Sequence, residues 1–283
     1  MNYYQIRKKK RSSLLQKVEG FSVVTWLIII NIIFSITGFI FFGISEDYIS
    51  YLALKPENIL QGKYLWTLIT HMFVHGGVFH LFVNMFSLFF IGRWTEKIIG
   101  GRRFFWFYFA AGLFAVTLTT LLSVFLGTSE LGMRIFGSPE VFMVGASGAI
   151  FGLVGILSIL IPKSKVSLIF GPLVVIVAQI ILEKSFPSFS GIINVISTVL
   201  IFGMIIFLFS PNNAMRSLAM PITISLWMVP LIAIVPLVLI SLFIALPIGN
   251  VAHFGGFLAG IIYGLYLKTK YKKKVQRLQK MFR

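Results

Sequence analysis

The sequence predicts an all-α, polytopic membrane protein, and three observations lead to that class. Of its 283 residues, 58% are hydrophobic and only 12% are charged, whereas soluble domains are about 25% charged. Several apolar runs approach or exceed the roughly 20 residues that a bilayer-crossing helix needs. The 25 lysines and arginines lie in short clusters between those runs, as in membrane proteins generally. The net charge of +17 is therefore no indication of nucleic-acid binding.

Eight apolar segments are candidate membrane spans, and no segment suits a soluble domain. The second candidate is short and polar at its beginning. The seventh contains three prolines, which predict a kinked or partly interfacial helix. The eight predicted spans cover residues 22–43, 78–92, 104–126, 142–161, 166–182, 191–209, 219–246 and 250–267.

The distribution of basic residues predicts the orientation. With both termini in the cytoplasm, 21 of the 25 lysines and arginines lie on the inner side, as the positive-inside rule requires. Residues 1–21 are expected to form a cytoplasmic tail, because the apolar run that follows is too long for a signal peptide. Residues 22–268 form the predicted membrane domain. Residues 269–283 form a second basic cytoplasmic tail, expected to contact anionic lipid headgroups. Abundant lysine and phenylalanine with few acids is typical of a prokaryotic plasma-membrane protein.

Ionisable residues within or beside membrane spans are costly and usually functional. All four histidines are of this kind. His71, His75 and His80 lie in one stretch that ends at Asn84, and His253 lies near the beginning of the eighth span. His80 and Asn84 are four residues apart, so they share one helix face.

A serine at a glycine-rich site completes this set. Ser147 lies in Gly145-Ala-Ser147-Gly148, near the beginning of the fourth span. Spans two, four and eight all run from outside to inside. At about 1.5 Å per residue, their polar groups share a depth of roughly 5–10 Å below the outer surface.

Glycine spacing predicts that the fourth and eighth spans touch. Gly148 and Gly152 on one span, and Gly256 and Gly260 on the other, form faces that let helix backbones approach closely. If these faces meet, the serine and the histidine of the two spans come within hydrogen-bonding reach.

Each signal also has an ordinary structural explanation. The serine could simply pack between helices, and Asn84 could form a structural interhelical hydrogen bond. His71 and His75, at i and i+4, could bind a metal, although anchoring an extracellular loop is the preferred interpretation. The common side and depth favour a functional site, because unrelated packing residues would not share them.

Composition excludes several chemistries. The chain has no cysteine, and Asp47 is its only aspartate, which rules out thiol and two-aspartate catalysis. No His-Glu-x-x-His sequence is present, so a histidine-only zinc site would be the remaining metalloprotease alternative. A transporter would need charged or broken-helix sites near mid-membrane, and the sequence indicates none.

Three segments, in order, resemble the rhomboid intramembrane serine proteases. The segment from His71 to Asn84 resembles the family's second-span motif, and Gly145-x-Ser147-Gly148 resembles the nucleophile motif. Ala252-His253-x-x-Gly256-x-x-x-Gly260 resembles the motif of the last core span. The resemblance covers residues 20–165 and 217–268, and implies a six-span core.

The resemblance implies a role for each of these residues. Ser147 would be the nucleophile and His253 the general base. His80 and Asn84 would stabilise the oxyanion together with the backbone N–H of Ser147. The supporting residues would be His71, His75, Phe151, Gly145, Gly148, Gly256 and Gly260.

The chain departs from the family pattern in two ways. Thr67 follows Trp66 where the family often has arginine, which concerns only local anchoring of the loop. Ser147 and His253 are separated by three spans instead of one, so residues 166–210 are interpreted as an inserted hairpin of two spans.

The sequence as a whole therefore predicts an intramembrane serine endopeptidase that cuts transmembrane helices of protein substrates near the outer membrane face. We expect neither a metal nor another cofactor. The alternative is a catalytically silent rhomboid-like protein that binds membrane clients.

Overall fold

Helices dominate the computed structural model, which describes residues 22–243 and 249–282. The predicted tail 1–21 and the last part of the predicted seventh span lie outside those residues. A two-stranded antiparallel ladder accompanies the helices. The principal elements are α1 Val23–Ile44, α2 Val78–Ile99, α3 Gly101–Leu126, α4 Ser147–Leu160, β1 Lys165–Ile169, α5 Gly171–Ser185, α6 Ser190–Leu208, β2 Pro221–Ser225, α7 Val229–Ser241, α8 Asn250–Lys270 and α9 Lys272–Met281.

Short helical segments occupy the connections between these elements. A π-helical turn, Leu88–Gly92, interrupts α2 without ending it. The short segments are Glu46–Tyr48, Ile49–Leu52, Pro56–Leu60, Thr67–Thr70, His71–Phe73, Glu130–Phe136, Pro187–Phe189, Asn213–Leu218 and Leu226–Met228.

Among the described residues, five helical stretches are long and apolar enough to cross a membrane. They are Val23–Ile44, Val78–Ile99, Gly101–Leu126, Pro187–Leu208 and Asn250–Lys270. This confirms the predicted class, an all-α integral membrane protein with several spans. The number eight stays a prediction, because α4, α5 and α7 have only 14, 15 and 13 residues.

The predicted boundaries of the fifth and seventh spans are wrong at their beginnings. Residues 166–169 and 221–225 form strands β1 and β2, which pair antiparallel from Lys165↔Ser225 to Ile169↔Pro221. Both segments contain β-branched residues and alternate between apolar and polar side chains, which suits a strand. The ladder brings together the segments that precede α5 and follow α6. The interpretation of residues 166–210 as an inserted hairpin stays a prediction.

Helix α6 lies beside α2. The ring of Phe202 is 4.9 Å from that of Phe82 and 5.8 Å from that of Phe79, and Phe209 is 6.4 Å from Phe86. These aromatic contacts join α6 to the helix that carries His80 and Asn84.

Helix α4 packs in the centre of the bundle, against α8 and α3. Most of its residues are buried. A Cβ on Gly256 would overlap the carbonyl oxygen of Gly148, and one on Gly260 would overlap that of Gly152. The backbones of α4 and α8 are therefore in direct contact, which confirms the predicted meeting of the two glycine faces.

The C-terminal segment is more ordered than the predicted tail. Residues 272–281 form α9, with its basic residues exposed and Val275 buried. Leu278 also packs against the core, and the ring of Phe282 lies 5.7 Å from that of Trp94. Apolar residues at helical spacing within a lysine-rich stretch account for this amphipathic helix.

We predict that Gly256→Ala destabilises the protein by about 1–3 kcal/mol, because the added methyl group has no space between the two backbones. The free energy of unfolding, from denaturant titration in micelles, measures the change. The matched control is Gly203→Ala in α6, where a Cβ meets nothing within 4 Å. That control should be neutral or slightly stabilising. Equal stability of both variants would contradict the close approach of α4 and α8.

Candidate active site

The contact between α4 and α8 brings together one serine and one histidine. Ser147 is the first residue of α4, and His253 lies in the first turn of α8. The Nε2 atom of His253 is 2.9 Å from Oγ of Ser147, although 106 positions separate the residues in the chain. This is the distance of a hydrogen bond between the hydroxyl and the imidazole.

The imidazole of His253 is held from one side by an aromatic ring. The ring of Phe151, one turn along α4 from Ser147, stacks on it with centroids 4.3 Å apart and an angle of 14° between the planes. The Nδ1 atom of His253 is buried and has no hydrogen-bond partner among the described residues. Leaving a buried polar atom unpaired costs free energy, and such atoms often occur at functional sites.

Two further polar side chains, from α2, lie beside Gly145, two residues before the serine. The Nε2 and Cε1 atoms of His80 would be 2.9 and 2.8 Å from a Cβ on Gly145, and the Nδ2 atom of Asn84 would be 3.6 Å from it. Gly145 has a φ of 115°, a conformation that favours glycine. The glycine two residues before Ser147 thus provides space for both side chains.

A hydrogen bond favours one neutral tautomer of His80. The backbone N–H of Gly76 donates to Nδ1 of His80 over 3.4 Å. A neutral imidazole has one donor and one acceptor nitrogen, so the proton resides on Nε2, the atom next to Gly145. The Nδ2 atom of Asn84 donates to the carbonyl oxygen of His80. At the beginning of α4, the N–H of Ser147 adds a donor, because the first N–H groups of a helix lack intrahelical partners.

The short length of α4 would place its beginning inside the bundle. Its 14 residues span about 21 Å, less than the roughly 30 Å of the hydrocarbon layer. The non-helical segment before Ser147 must therefore reach into the bundle. It is anchored by a bridge between Met143 and Leu54 and by the N–H of Gly145, which donates to the carbonyl oxygen of His71. Non-helical backbone at membrane depth is tolerated when protein surrounds it.

The connection that carries His71 and His75 is buried against the helices. His71 forms a 2.8 Å hydrogen bond through Nδ1 to the carbonyl oxygen of Thr67. His75 lies 2.9 Å through Nδ1 from Oγ of Ser35, and its ring meets the His80 ring edge-on at 5.0 Å. Met72 lies in the space that Gly112 leaves on α3. Through these contacts His71 and His75 hold the connection against the helices, and neither is hydrogen-bonded to the Ser147 hydroxyl.

Sequence reasoning missed Ser35. Its hydroxyl lies on α1, is fully buried, and also reaches the carbonyl oxygen of Phe73. The available signal was a pair of polar residues, Asn31 and Ser35, four apart within an otherwise apolar span. At Trp66, the indole N–H donates to the carbonyl oxygen of Tyr51 and anchors the loop where the family often has arginine next in sequence.

The histidines do not converge on a metal site. Within the part of the chain that the structure describes, no three His, Cys, Asp or Glu side chains are grouped so that they could hold an ion. The geometry thus gives no support to the histidine-only zinc alternative.

Fold and site together define a helical membrane protein with a hydrogen-bonded serine–histidine pair inside the bundle. The family model of the rhomboid domain matches residues 62–199. This match and the rhomboid-named relatives support a rhomboid family protein. The matched region includes His80, Asn84 and Ser147 but ends before His253, which is joined to them by the contact between α4 and α8.

Individual rhomboid relatives are similar to part of the chain. The chain is 34% identical over 103 residues to RHOMBOID-like protein 1 of Arabidopsis thaliana, covering 36% of this chain and 23% of that protein. It is 33% identical over 113 residues to Rhomboid protease GluP of Bacillus subtilis, covering 40% and 19%. It is also 32% identical over 85 residues to Inactive RHOMBOID-like protein 8 of Arabidopsis thaliana, covering 30% and 24%. The matches span about a quarter or less of these relatives.

The buried histidines of the first connection predict acid sensitivity. Burial lowers the pKa of His71 to about 4 and that of His75 to about 3, from an ordinary value of 6.5. The unfolded chain therefore takes up protons below pH 6.5 that the folded chain does not. The stability that these histidines confer is complete above pH 6.5 and is lost as the pH falls towards 4 and then 3.

We expect His71→Gln to make the slope of unfolding free energy against pH shallower between pH 6 and 4.5, by up to about 1.4 kcal/mol per pH unit. Glutamine keeps an N–H donor for the carbonyl oxygen of Thr67. Unfolding titrations in micelles at several pH values measure the slope. An unchanged slope in a folded His71→Gln protein would contradict a buried, neutral imidazole.

Proposed function

We propose that the protein is an active intramembrane serine endopeptidase with a Ser147–His253 dyad. The observation that carries the proposal is the 2.9 Å hydrogen bond between His253 Nε2 and Ser147 Oγ. Rhomboid family membership and the similarity to a protease of Bacillus subtilis support the reaction class.

The dyad supplies both proton transfers of peptide hydrolysis. His253 accepts the proton of Ser147 as the hydroxyl oxygen attacks the carbonyl carbon of the scissile bond. The imidazolium then protonates the leaving amine, and an acyl-enzyme remains. A water molecule, deprotonated by the same imidazole, hydrolyses the ester and restores the serine.

The polar groups of α2 and the beginning of α4 suit the stabilisation of the oxyanion. The tetrahedral intermediate carries negative charge on the former carbonyl oxygen and needs donors already in place. His80 Nε2–H, Asn84 Nδ2–H and the N–H of Ser147 are such donors. Gly145 keeps the space next to the first two open, because any side chain there would meet the His80 ring.

A carboxylate usually orients the histidine of a serine protease, and here Phe151 takes over part of that task. Its ring stacks on the imidazole, restricting rotation about the side-chain bonds of His253. The pair would therefore operate as a dyad in which packing replaces the third member.

The substrates that suit this site are transmembrane helices cut near their outer ends. With the orientation expected from the basic residues, the beginnings of α2, α4 and α8 face the outside, where water can reach Ser147. A helix hides its carbonyl groups in hydrogen bonds, so it must unwind locally before attack. Small or helix-breaking residues near the outer end would favour cleavage.

Cleavage of a model transmembrane substrate by purified variants tests the assignment of residues. Ser147→Ala and His253→Ala should abolish cleavage, while His80→Ala and Asn84→Ala should each lower kcat by about 10²–10³. The matched control is Ser158→Ala, the other serine of α4, whose hydroxyl donates to the carbonyl oxygen of Val154. It should retain cleavage. Activity that survives Ser147→Ala would show that another residue is the nucleophile.

The substrate requirement is tested by moving one glycine. A glycine at the outer end of the substrate helix lowers the cost of unwinding by about 1 kcal/mol relative to alanine, so cleavage should be roughly fivefold faster. The control carries the same glycine at the inner end. Equal rates for the two substrates would contradict a rate that depends on unwinding.

The second candidate function is binding of membrane clients without cleavage. The relative named inactive among the Arabidopsis proteins shows that similarity to this chain extends to silent members. A fluorophosphonate, which reacts with activated serines, distinguishes the two. Labelling of Ser147 supports the protease, whereas neither labelling nor cleavage would favour the silent protein.

A further inference from the structure

The end of the bundle opposite the dyad carries an unusual concentration of cations. Helix α3 begins there with Arg102 and Arg103, and α8 ends there at Lys270. At about 1.5 Å per residue, the rise from His253 to Lys270 is roughly 25 Å. The cluster is therefore separated from the dyad by most of the hydrocarbon thickness.

These cations are held by aromatic rings. A guanidinium nitrogen of Arg103 donates to the Tyr271 hydroxyl over 2.7 Å, and its central carbon lies 4.9 Å from the centre of that ring. Lys270 donates to the Tyr266 hydroxyl over 2.6 Å. Lys274 lies 5.8 Å from the centre of the Tyr271 ring. Tyrosine contacts orient the cations without neutralising their charge.

Carboxylates do not neutralise the cluster. Within residues 22–243 and 249–282, the ion pairs are Lys55–Glu57 and Arg134–Glu130, both in other segments. Glu96 lies near the beginning of α3, but its two oxygens accept the backbone N–H groups of Val23 and Val24. The positive charge at this end is therefore available to an anion.

A cleft extends from the arginines along the bundle between α3 and α8. It has a volume of about 530 Å³, and its walls are mostly apolar or aromatic. Trp106 is 66% exposed in it. Opposite, the ring of Tyr263 stacks on that of Phe107 at 4.9 Å. The lining residues are Arg102, Arg103, Trp106, Phe107, Ala110 and Tyr263.

We propose that this cleft binds one anionic phospholipid. The phosphodiester lies at Arg102 and Arg103, and an acyl chain follows the apolar wall past Trp106 towards Ala110. Arginine is well suited to phosphate oxygens because its planar donors can bind two of them. A zwitterionic lipid is disfavoured, because its headgroup cation would face Lys270 and Lys274.

The sequence predicts only that the basic C-terminal tail contacts anionic headgroups in general. The proposed site binds one lipid molecule. The lipid would bridge α3 and the junction of α8 with α9, since Arg103 and Tyr271 join these elements. Its binding is independent of the proposed protease activity, because none of its residues touches Ser147 or His253.

Quenching of tryptophan fluorescence by brominated phosphatidylglycerol tests the site in the full chain in micelles. The chain has five tryptophans, so we expect a saturable component of the quenching that is lost in Trp106→Phe, above the background from the other four. The double variant Arg102→Gln/Arg103→Gln should raise the half-saturating lipid concentration about 25-fold, at roughly fivefold per cation. Arg103→Lys, which keeps the charge without the planar donors, should have a smaller effect. The matched control, Arg216→Gln on the exposed segment Asn213–Leu218, should bind as the wild type does.

Two further ligands separate a lipid site from other anion sites. Brominated phosphatidylcholine should quench weakly, and inorganic phosphate should not displace the anionic lipid. Displacement by phosphate alone would overturn the assignment in favour of a small-anion site. Equal quenching by both lipids, or wild-type affinity in a folded double arginine variant, would also overturn it.

Discussion

The direct contact between the backbones of α4 and α8 is the constraint on which the rest depends. No side chain fits where Gly256 meets Gly148 and Gly260 meets Gly152. In a membrane, lipid and side chains are equally apolar, so close packing is a principal source of helix association. This contact sets the separation of the two helix beginnings, and hence the distance between Ser147 and His253. The proposed chemistry therefore depends on glycines that take no part in the proton transfers, from Gly148 next to Ser147 to Gly260 two turns beyond His253.

A second constraint follows from the length of α4. A helix too short to cross the hydrocarbon layer begins inside it, and the chain before it must be surrounded by protein. The first connection supplies that protein, with His75 held by Ser35 and Met72 filling the space at Gly112. Burial of His71 and His75 makes the fold sensitive to acid. The same packing holds His80 with its Nε2 atom next to Gly145. Stability and site geometry thus depend on the same buried connection.

Much of the site could be predicted from the sequence, because polar residues in apolar spans and glycines at helical spacing are visible there. Ser147, His253, His80 and Asn84 come together in the structure, although their proposed roles stay predictions. The strands β1 and β2 could not be predicted. Each has five residues and is stabilised by a partner more than fifty positions away, whereas hydropathy reports only local preference. The same limitation applies to α9. Its few apolar residues are stabilising only because they pack against the core, and the local sequence does not show that contact.

The most direct test is the rate at which a fluorophosphonate labels Ser147 in Gly260→Ala, compared with wild type. Gly260 touches neither member of the dyad, but a methyl group there would push α8 away from α4 at Gly152. The account predicts that labelling slows at least about tenfold, equivalent to about 1.4 kcal/mol in the barrier, in protein that retains its helical circular dichroism. A folded variant labelled at the wild-type rate would contradict the claim that helix spacing creates the site.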